Sequence, residues 1–220
     1  EKEAWYKLMN VMSHEIINTI TPISSLASNL DSLLKENETD EETMEELSQG
    51  LQIIKRRSLH LTDFVNTYRK LAELPLPEKE EININLLIEN TLALFKQEFE
   101  EKRIQIEFNQ KEQHILSVDR QQIEQVFINL ISNSLHAISE NPKISIDIQK
   151  QSNRTNIVFT DNGTGIPDSI KDNVFVPYFT TRKNGSGIGL TLTKSIVESH
   201  EGAIYFKSKN GLTTFTLSFI

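Results

Sequence analysis

Two glycine-rich segments decide the fold of the longer, C-terminal part of this 220-residue chain: Asp161–Ile166 (DNGTGI) and Gly185–Leu190 (GSGIGL). Together they hold five of the chain's eight glycines. The first follows a strand-like pattern and the second opens a helical one, so glycine lets backbone N–H groups approach a phosphate at the start of that helix. The carboxylate of Asp161, at a strand end, can accept a hydrogen bond from the exocyclic amine of adenine. A Gly-x-Gly-x-Gly segment alone is a weak motif, but the pair predicts a nucleotide site in a mixed α/β domain.

The residues around these segments predict the rest of the domain. Alternating apolar residues indicate strands, and apolar residues three or four apart indicate helices. The patterns form no regular βαβ repeat, which favours a layered α/β sandwich. The predicted helices cover residues 86–101, 119–138 and 189–200, and the predicted strands cover 103–109, 143–149, 156–160, 203–207 and 213–219, the last two joined at Asn210-Gly211.

A candidate metal ligand lies on the predicted helix 119–138. Asn129 and Asn133 are four residues apart and therefore share one face of this helix. An amide oxygen is a hard ligand that suits Mg²⁺ when the phosphates of a substrate fill other coordination positions. Two surface asparagines would be the alternative interpretation if this helix stood alone.

Two long helices are predicted before this domain. Apolar residues recur at helical spacing up to about Lys35, the acidic run 36–42 interrupts them, and a second apolar stripe continues to Leu71. Thr39 or Asp40 is placed to cap the second helix. Such a helical hairpin buries too little apolar surface alone, so we expect it to pair with a second copy as a dimeric four-helix bundle.

The segment Val11–Ile23 of the first helix presents a histidine away from the apolar stripe. Asn18 lies four residues after His14 and shares its exposed face, and Glu15 lies beside both. The arrangement fits either an ordinary surface histidine on an amphipathic helix or an imidazole nucleophile beside a carboxylate. Pro22 predicts a kink in the same helix, and bending there is a hypothesis for how a nucleotide domain reaches His14.

The boundary between the two parts is predicted at two prolines. Pro75 and Pro77 each disfavour helical geometry in the preceding residue, and the charged residues that follow favour solvent. We therefore predict a helical dimerisation domain over residues 1–74, a linker over residues 75–81 and the nucleotide domain over residues 82–220.

Composition restricts the possible partners. A formal net charge of −8 without a clustered basic stripe argues against nucleic-acid binding. The lack of cysteine excludes disulfides and cysteine-based metal or redox chemistry. No apolar run is long enough to cross a membrane and the chain opens on Glu1, so we expect a cytoplasmic portion of a longer protein whose membrane attachment, if any, lies in a missing N-terminal portion.

Five segments taken together resemble the ordered sequence boxes of sensor histidine kinases. The resemblance spans nearly the whole chain. It implies a dimerisation and histidine-phosphotransfer hairpin followed by an α/β sandwich of the GHKL or Bergerat ATP-binding type. The segments are residues 14–18 (HEIIN), 129–133 (NLISN), 161–165 (DNGTG), 175–182 (FVPYFTTR) and 185–190 (GSGIGL).

The resemblance also implies roles for single residues. His14 would accept phosphate from ATP and pass it to an aspartate of a response regulator, Glu15 would assist proton transfer, and Asn18 would position water for a phosphatase reaction on that regulator. Asn133 would coordinate Mg²⁺, Asp161 would bind adenine, and residues 175–187 would form a mobile lid. The ATP-binding residues so implied are Asn129, Asn133, His136, Asp161, Gly163, Gly165, Ile166, Thr181, Arg182, Gly185, Ser186, Gly187, Gly189 and Leu190.

The sequence departs from the family pattern at several positions. Ile17 stands where a basic residue is common, Thr19 where the nearest subgroup has proline, and His136 where Lys or Arg is common, so His136 is either a phosphate contact or a helix-surface histidine. Leu212 replaces a common glycine, which leaves a nucleotide contact by Thr213 open. We expect His60, His114 and His200 to be structural or solvated.

Two rival functions are open at this point. The first is a GHKL-type ATPase, whose helix carries a water-activating glutamate four residues before the metal-binding asparagine. Asn129 stands there, and an amide cannot act as a general base, so hydrolysis by this route is disfavoured. The second is a catalytically degenerate dimeric adaptor, which the complete set of boxes disfavours.

Overall fold

The structure is a computed structural model that describes residues 2–36, 40–72, 74–109, 112–137, 140–182, 185 and 187–220. At residues 2–12, 14, 15, 36, 63, 67, 68 and 70–72 it describes the backbone alone. The chain divides into two compact units, Glu1–Glu73 and Leu74–Ile220. No described helix is both long enough and apolar enough to cross a membrane.

The first unit is a hairpin of two long helices, α1 (Lys2–Glu36) and α2 (Glu41–Ala72). Asp40 caps α2, because its Oδ1 accepts a hydrogen bond of 2.8 Å from the Thr43 N–H, and Thr39 lies outside the described residues. Leu30 and Gly50 explain the close approach of the helices: a Cβ at position 50 would lie 2.7 Å from Leu30 Cδ2. The glycine that interrupts the apolar stripe of α2 is therefore the place where a leucine of α1 packs.

Pro22 lies inside α1, and the helical assignment continues on both sides of it. Proline has no N–H to donate to the carbonyl of Asn18, four residues earlier, so one helical hydrogen bond is missing there. The kink expected from this proline stays a prediction.

The second unit contains a five-stranded sheet in the order β2-β4-β5-β7-β6. Its strands are β2 (Gln105–Asn109), β4 (Lys143–Gln151), β5 (Arg154–Asp161), β6 (Ala203–Lys209) and β7 (Leu212–Phe219). β2 pairs with β4 in parallel, and the other neighbours are antiparallel. The predicted hairpin between β6 and β7 is confirmed, with positive φ at Asn210 and Gly211 as a tight turn requires.

Helices cover one face of this sheet, as predicted for an α/β sandwich. They are α3 (Ile84–Leu94), α4 (Lys96–Glu101), α5 (Arg120–His136) and α6 (Gly189–Ser199), with a short 3-10 helix at Asp168–Asn173. Alternate residues of β5 and β7 face the helices, and a row on α5 meets them, because strand and helix periodicities each bury one side. Fully buried members of this core include Ile123, Phe127, Ile131, Ile146, Ile157 and Leu217.

Two differences from the expected elements have local causes. The helix expected over residues 86–101 is two helices, because the Phe95 N–H turns to the Leu92 carbonyl at 3.1 Å and the chain leaves helical geometry there. β1 (Glu80–Asn83) and β3 (Ile115–Val118) form a small antiparallel sheet that the sequence pattern did not reveal. Each is only four residues long, too short for its alternation to stand out.

The segment 75–81, expected to be a linker, is fastened to the second unit. Gln122 donates to the Pro75 carbonyl at 3.1 Å, and Asp119 accepts from the Glu78 N–H at 3.1 Å. Lys79 forms a 2.8 Å ion pair with Glu201, and the next two residues already belong to β1. These contacts place the segment with the second unit, which begins at Leu74.

Candidate functional site

A cavity of about 650 Å³ opens between α5, the start of α6, the ends of β5 and β7, and the chain between β5 and α6. Such a volume suits a drug-sized or nucleotide-sized ligand. It brings together most residues that the sequence singled out for nucleotide binding. Those that line it are Asn129, Asn133, His136, Asp161, Gly165, Ile166, Thr181, Arg182, Gly185, Gly187, Gly189 and Leu190.

Asp161, the last residue of β5, is a buried carboxylate in the lining of this cavity. Its Oδ1 accepts from the Gly163 N–H at 3.0 Å, and its Oδ2 accepts from the Ser134 hydroxyl at 3.2 Å. Burial raises the pKa of Asp161 from its ordinary value of 3.8, while these two hydrogen bonds act in the opposite direction. A buried, hydrogen-bonded acceptor in this position suits recognition of a donor group on a ligand.

Gly163 follows Asp161 at a point where no side chain fits. A Cβ there would lie 2.2 Å from the carbonyl oxygen of Ala137. That oxygen accepts from the Thr164 N–H at 2.7 Å. Gly163 does not line the cavity itself; it lets the loop after β5 pack against the end of α5 and so supports Asp161.

Asn133 and Arg182 lie in direct contact across the cavity mouth. An Arg182 Nη2 donates to Asn133 Oδ1 at 2.8 Å and to the Asn133 backbone carbonyl at 3.3 Å. Asn133 Nδ2 is buried and has no hydrogen-bond partner within the described part of the chain. Burial lowers the pKa of the Arg182 guanidinium from its ordinary value. The amide oxygen expected to bind a cation therefore already faces a positive charge.

Asn129 joins α5 to the start of α6. Its Nδ2 donates to the Gly189 carbonyl at 3.1 Å and to Thr193 Oγ1 at 3.3 Å, and its Oδ1 accepts from Gln125 at 3.0 Å. Asn129 lines the cavity, but its amide group already forms hydrogen bonds that join α5 to α6. This arrangement fits a structural contribution to the site better than a direct chemical one.

The backbone turns sharply at two positions of the segment 175–187, Tyr178 and Gly187. Gly187 has a φ of +67°, and a Cβ there would lie 2.4 Å from the Tyr178 backbone, which itself has a φ of +63°. Only glycine allows this close approach without strain. Phe175 packs edge-on against Phe206, whose ring contacts Phe215 in the cavity lining.

The structure shows the contacts of His136 and His200. His136 is exposed at the end of α5 and its Nδ1 donates to the Ser132 carbonyl at 2.6 Å, yet its side chain lies at the cavity. His200 is buried and structural: Nδ1 donates to the Ile196 carbonyl at 2.7 Å, and Nε2 accepts from the Asp119 N–H at 3.0 Å.

Sequence reasoning missed one buried polar residue that contacts Asp161, Ser134, and left the role of Thr213 open. Ser134 lies seven residues after Phe127 and four after Leu130, so it occupies the buried stripe of α5, and a polar residue in such a stripe is the signal that could have identified it. Thr213, left open, is the direct cross-strand partner of Asp161 and lines the cavity.

The remaining predicted residues lie elsewhere or cannot be placed. Asn18 is exposed on α1. His14 and Glu15 belong to the same helix by their backbone, but their side chains lie outside the described part, as does Ser186.

Comparison with known proteins agrees with this geometry. Residues 118–220 match the family described as "Histidine kinase-, DNA gyrase B-, and HSP90-like ATPase". The chain is 31% identical over 202 residues to the sensor histidine kinase ZraS of Salmonella typhimurium, covering 91% of this chain and 42% of ZraS. It is 31% identical over 218 residues to the signal transduction histidine-protein kinase AtoS of Escherichia coli, covering 96% of this chain and 34% of AtoS. The chain thus spans less than half the length of these relatives.

Solved structures resemble both units. The catalytic domain of histidine kinase ThkA superimposes with a TM-score of 0.60 at 30% identity, covering 64% of this chain and 95% of that domain. ThkA in complex with the response regulator protein TrrA superimposes with a TM-score of 0.67 at 27% identity, covering 96% of this chain and 60% of ThkA. The second unit is thus an α/β sandwich of the GHKL type, and the chain belongs to the sensor histidine kinases of two-component systems.

Proposed function

We propose that this chain transfers the γ-phosphoryl group of ATP to His14 and then to an aspartate of a response regulator. The observation that carries this proposal is the cavity in which Asp161, Asn133 and Arg182 converge within a GHKL-type domain. The second step is supported by the likeness to ThkA, whose structure is that of a complex with a response regulator. We place the reaction in the cytoplasm, where ATP is available.

The proposed chemistry is an in-line displacement. A ring nitrogen of His14 attacks the γ-phosphorus, a nitrogen–phosphorus bond forms, and the bond to the bridging oxygen of ADP breaks. Glu15 accepts a hydrogen bond from the other ring nitrogen and so raises the nucleophilicity of the imidazole. Asn18, exposed next to this position on α1, orients a water molecule when the phosphorylated regulator is hydrolysed.

Asn133 is the residue that we expect to hold Mg²⁺ with the nucleotide. The proposal is supported by the contact of its Oδ1 with the positive charge of Arg182. No group of three or more His, Cys, Asp or Glu side chains suited to a metal lies within the described residues, which fits an ion that takes its other ligands from phosphate and water. Bound there, Mg²⁺ would offset the charge on the phosphates, and Arg182 would turn from Asn133 towards them.

Hydrolysis to free phosphate is disfavoured by the contacts of Asn129. This residue stands where GHKL ATPases carry a glutamate, and its amide is engaged with Gly189 and Thr193. An amide cannot take a proton from water, so the phosphoryl group is retained for a protein acceptor.

We also propose that the hairpin pairs with a second copy as a four-helix bundle. Several apolar residues of its stripes are exposed in the single chain, including Ile20 (44%), Leu34 (56%), Met44 (54%) and Leu51 (60%). An exposed apolar stripe along two helices is stabilised by a partner that covers it. Pro22, on the same unit, remains our candidate for bending; unchanged autophosphorylation in Pro22→Ala would count against that role.

The central test is labelling with γ-³²P-ATP and Mg²⁺. We expect acid-labile, base-stable label on the wild type and on His60→Gln, which replaces another histidine, exposed on α2. We expect no label on His14→Gln. Label that persists in that variant would overturn the acceptor assignment, and steady phosphate release without labelled protein would favour an ATPase.

A further inference from the structure

The cavity residue Asp161 accepts a hydrogen bond that no assigned role explains. The Ser134 hydroxyl donates to Asp161 Oδ2 at 3.2 Å, and each residue is only 7% exposed. Ser134 lies on α5 in a row otherwise formed by apolar residues such as Phe127 and Leu130. A hydroxyl placed in such surroundings costs free energy unless it is hydrogen-bonded, so its partner accounts for its presence.

The bond completes a symmetrical support of the carboxylate. Gly163 donates its N–H to Oδ1 and Ser134 donates its hydroxyl to Oδ2, so each oxygen has one donor from the protein. The two donors come from different elements, the loop after β5 and helix α5, and together they oppose rotation about the Cβ–Cγ bond. Each oxygen keeps acceptor capacity for a ligand, because a carboxylate oxygen has two lone pairs.

Ser134 also follows Asn133 directly. Adjacent helical residues point about 100° apart, so Asn133 contacts Arg182 while Ser134 contacts Asp161. Two adjacent residues of α5 therefore contact Arg182 and Asp161, two residues of the cavity lining.

We propose that Ser134 is a positioning residue for the base of the nucleotide: its hydroxyl fixes the Asp161 carboxylate so that the free acceptor capacity of that carboxylate meets the exocyclic amine of adenine. This inference rests on the proposed ATP-dependent function. It makes Ser134 a determinant of affinity and of the preference for adenine over a base with oxygen at the same ring position. The hydroxyl also favours the ionised form of the carboxylate against burial, which raises its pKa.

Equilibrium binding of ADP and of inosine diphosphate to the 220-residue chain tests the proposal without any turnover. Inosine diphosphate has a carbonyl oxygen in place of the exocyclic amine and therefore cannot donate to Asp161. We expect Ser134→Ala to weaken ADP binding by about tenfold, the value of roughly one hydrogen bond to a charged group, and to leave inosine diphosphate binding nearly unchanged. The preference for ADP should fall by the same factor.

Ser218→Ala is the matched control. Ser218 is also a buried serine, 5% exposed, and its hydroxyl also bonds to a side chain, Arg154, at 3.3 Å. It lies at the opposite end of β7 from the cavity, since it pairs with Asn156 whereas Thr213 pairs with Asp161. We expect its preference for ADP to equal that of the wild type.

The pH dependence of nucleotide binding distinguishes a positioning role of Ser134 from a role in packing alone. The ratio of ADP to inosine diphosphate affinity should fall as Asp161 takes up a proton, and this ratio cancels the titration of the phosphates. In Ser134→Ala the midpoint of the fall should move to a higher pH, because the hydrogen bond that lowers the pKa of Asp161 is lost. A carboxyl ¹³C titration of Asp161 in nucleotide-free protein should show the same displacement, with Asp161→Asn identifying the signal.

The outcomes separate the two proposals. Wild type that binds neither nucleotide contradicts the proposed function. Wild type that prefers ADP while Ser134→Ala keeps the same preference and the same Asp161 titration overturns the role of Ser134 alone. Equal loss of ADP and inosine diphosphate binding in Ser134→Ala also overturns it, because a general disturbance of the fold would act on both.

Discussion

Arg182 and Asn133 form a cation-to-amide contact of 2.8 Å between the lid segment and helix α5. The oxygen involved, Asn133 Oδ1, is the one that we propose as a ligand of Mg²⁺. The same guanidinium also reaches the Asn133 carbonyl at 3.3 Å. These two hydrogen bonds join Arg182, which belongs to the segment 175–187 that we expect to act as a lid, to helix α5.

Removal of the Arg182–Asn133 contact should increase the mobility of the segment that contains Arg182. We expect Arg182→Ala to increase amide hydrogen exchange over residues 178–187 in nucleotide-free protein, because the lid loses two hydrogen bonds to α5. Arg154→Ala, which removes another arginine hydrogen bond, on β5, should leave exchange in the lid unchanged. Equal protection of the lid in Arg182→Ala and wild type would show that the contact does not hold it.

The buried charge of Asp161 should favour ADP binding but lower the free energy of unfolding. A carboxyl whose pKa is raised in the folded state stabilises the fold below its ordinary pKa of 3.8, and this contribution is lost as pH rises through the folded pKa. At pH 7 the ionised carboxylate is therefore a cost. We expect Asp161→Asn to unfold at the same or a higher urea concentration than wild type while ADP binding is lost, since an amide N–H would meet the adenine amine.

Asp168→Asn is the control for this charge change. Asp168 is exposed and pairs with Lys171 at 2.7 Å, and this interaction lowers its pKa. Removing that charge should not raise stability and should leave ADP binding intact. A clear loss of stability in Asp161→Asn with ADP binding retained would contradict the assignment of Asp161.

Protonation of His200 should lower the stability of the second unit as the pH falls. Its ring is neutral by geometry, with one nitrogen donating to Ile196 and the other accepting from Asp119, and burial lowers its pKa from 6.5 despite the nearby Asp119. Its contribution to stability is full above pH 6.5 and declines as pH falls towards the lowered folded pKa, with a slope of at most about 1.4 kcal/mol per pH unit for one proton.

Urea unfolding between pH 7.5 and 5 measures this effect. These pH values bracket the ordinary histidine pKa of about 6.5. We expect the fall in the free energy of unfolding to be smaller in His200→Gln than in wild type, and unchanged in His60→Gln, which alters an exposed histidine of α2. Parallel pH profiles in all three proteins would rule out His200 as the source.

Gly163 and Gly189, one from each glycine-rich segment, differ in the space available for a side chain. A Cβ at Gly163 would lie 2.2 Å from the Ala137 carbonyl oxygen, whereas the nearest atom to a Cβ at Gly189 is Asn129 Cγ at 3.7 Å, an ordinary contact. We expect Gly163→Ala to lower the free energy of unfolding by about 1–3 kcal/mol, the usual cost of overpacking, and Gly189→Ala to be nearly neutral. Similar urea midpoints for the two variants would contradict the packing of the Asp161 loop against α5.

The contrast between these two glycines shows what sequence could and could not predict. Helical and strand periodicity identified the hairpin, the principal helices and the main strands, because each buries one face and so leaves a regular apolar pattern. The box residues identified one wall of the cavity. The packing of Gly163 against Ala137 was not predictable, since it joins the end of α5 to a loop 26 residues later in the chain.

The features that the sequence left unidentified or open share a physical reason. Ser134 reads as a minor break in a buried stripe until its partner is known, and Thr213 becomes part of the site only through its register with Asp161. The segment 75–81 reads as a linker because of its prolines and charges, and only the contacts of Asp119, Gln122 and Glu201 show that it belongs to the second unit. In all three cases the role depends on contacts with residues that are distant in the sequence.

The apolar stripes of the hairpin predict its association. Ile20 and Leu34 are fourteen residues apart on α1, and Met44 and Leu51 are seven apart on α2, so each pair repeats at heptad spacing and lies on one face of its helix. We expect sedimentation to show a dimer of the 220-residue chain and a monomer for Leu51→Glu, because a charge cannot be buried unpaired in the bundle core. Leu94→Glu, which alters a leucine of α3 that is 65% exposed, should remain dimeric. A dimer that survives Leu51→Glu would mean that another face of the chain forms the contact.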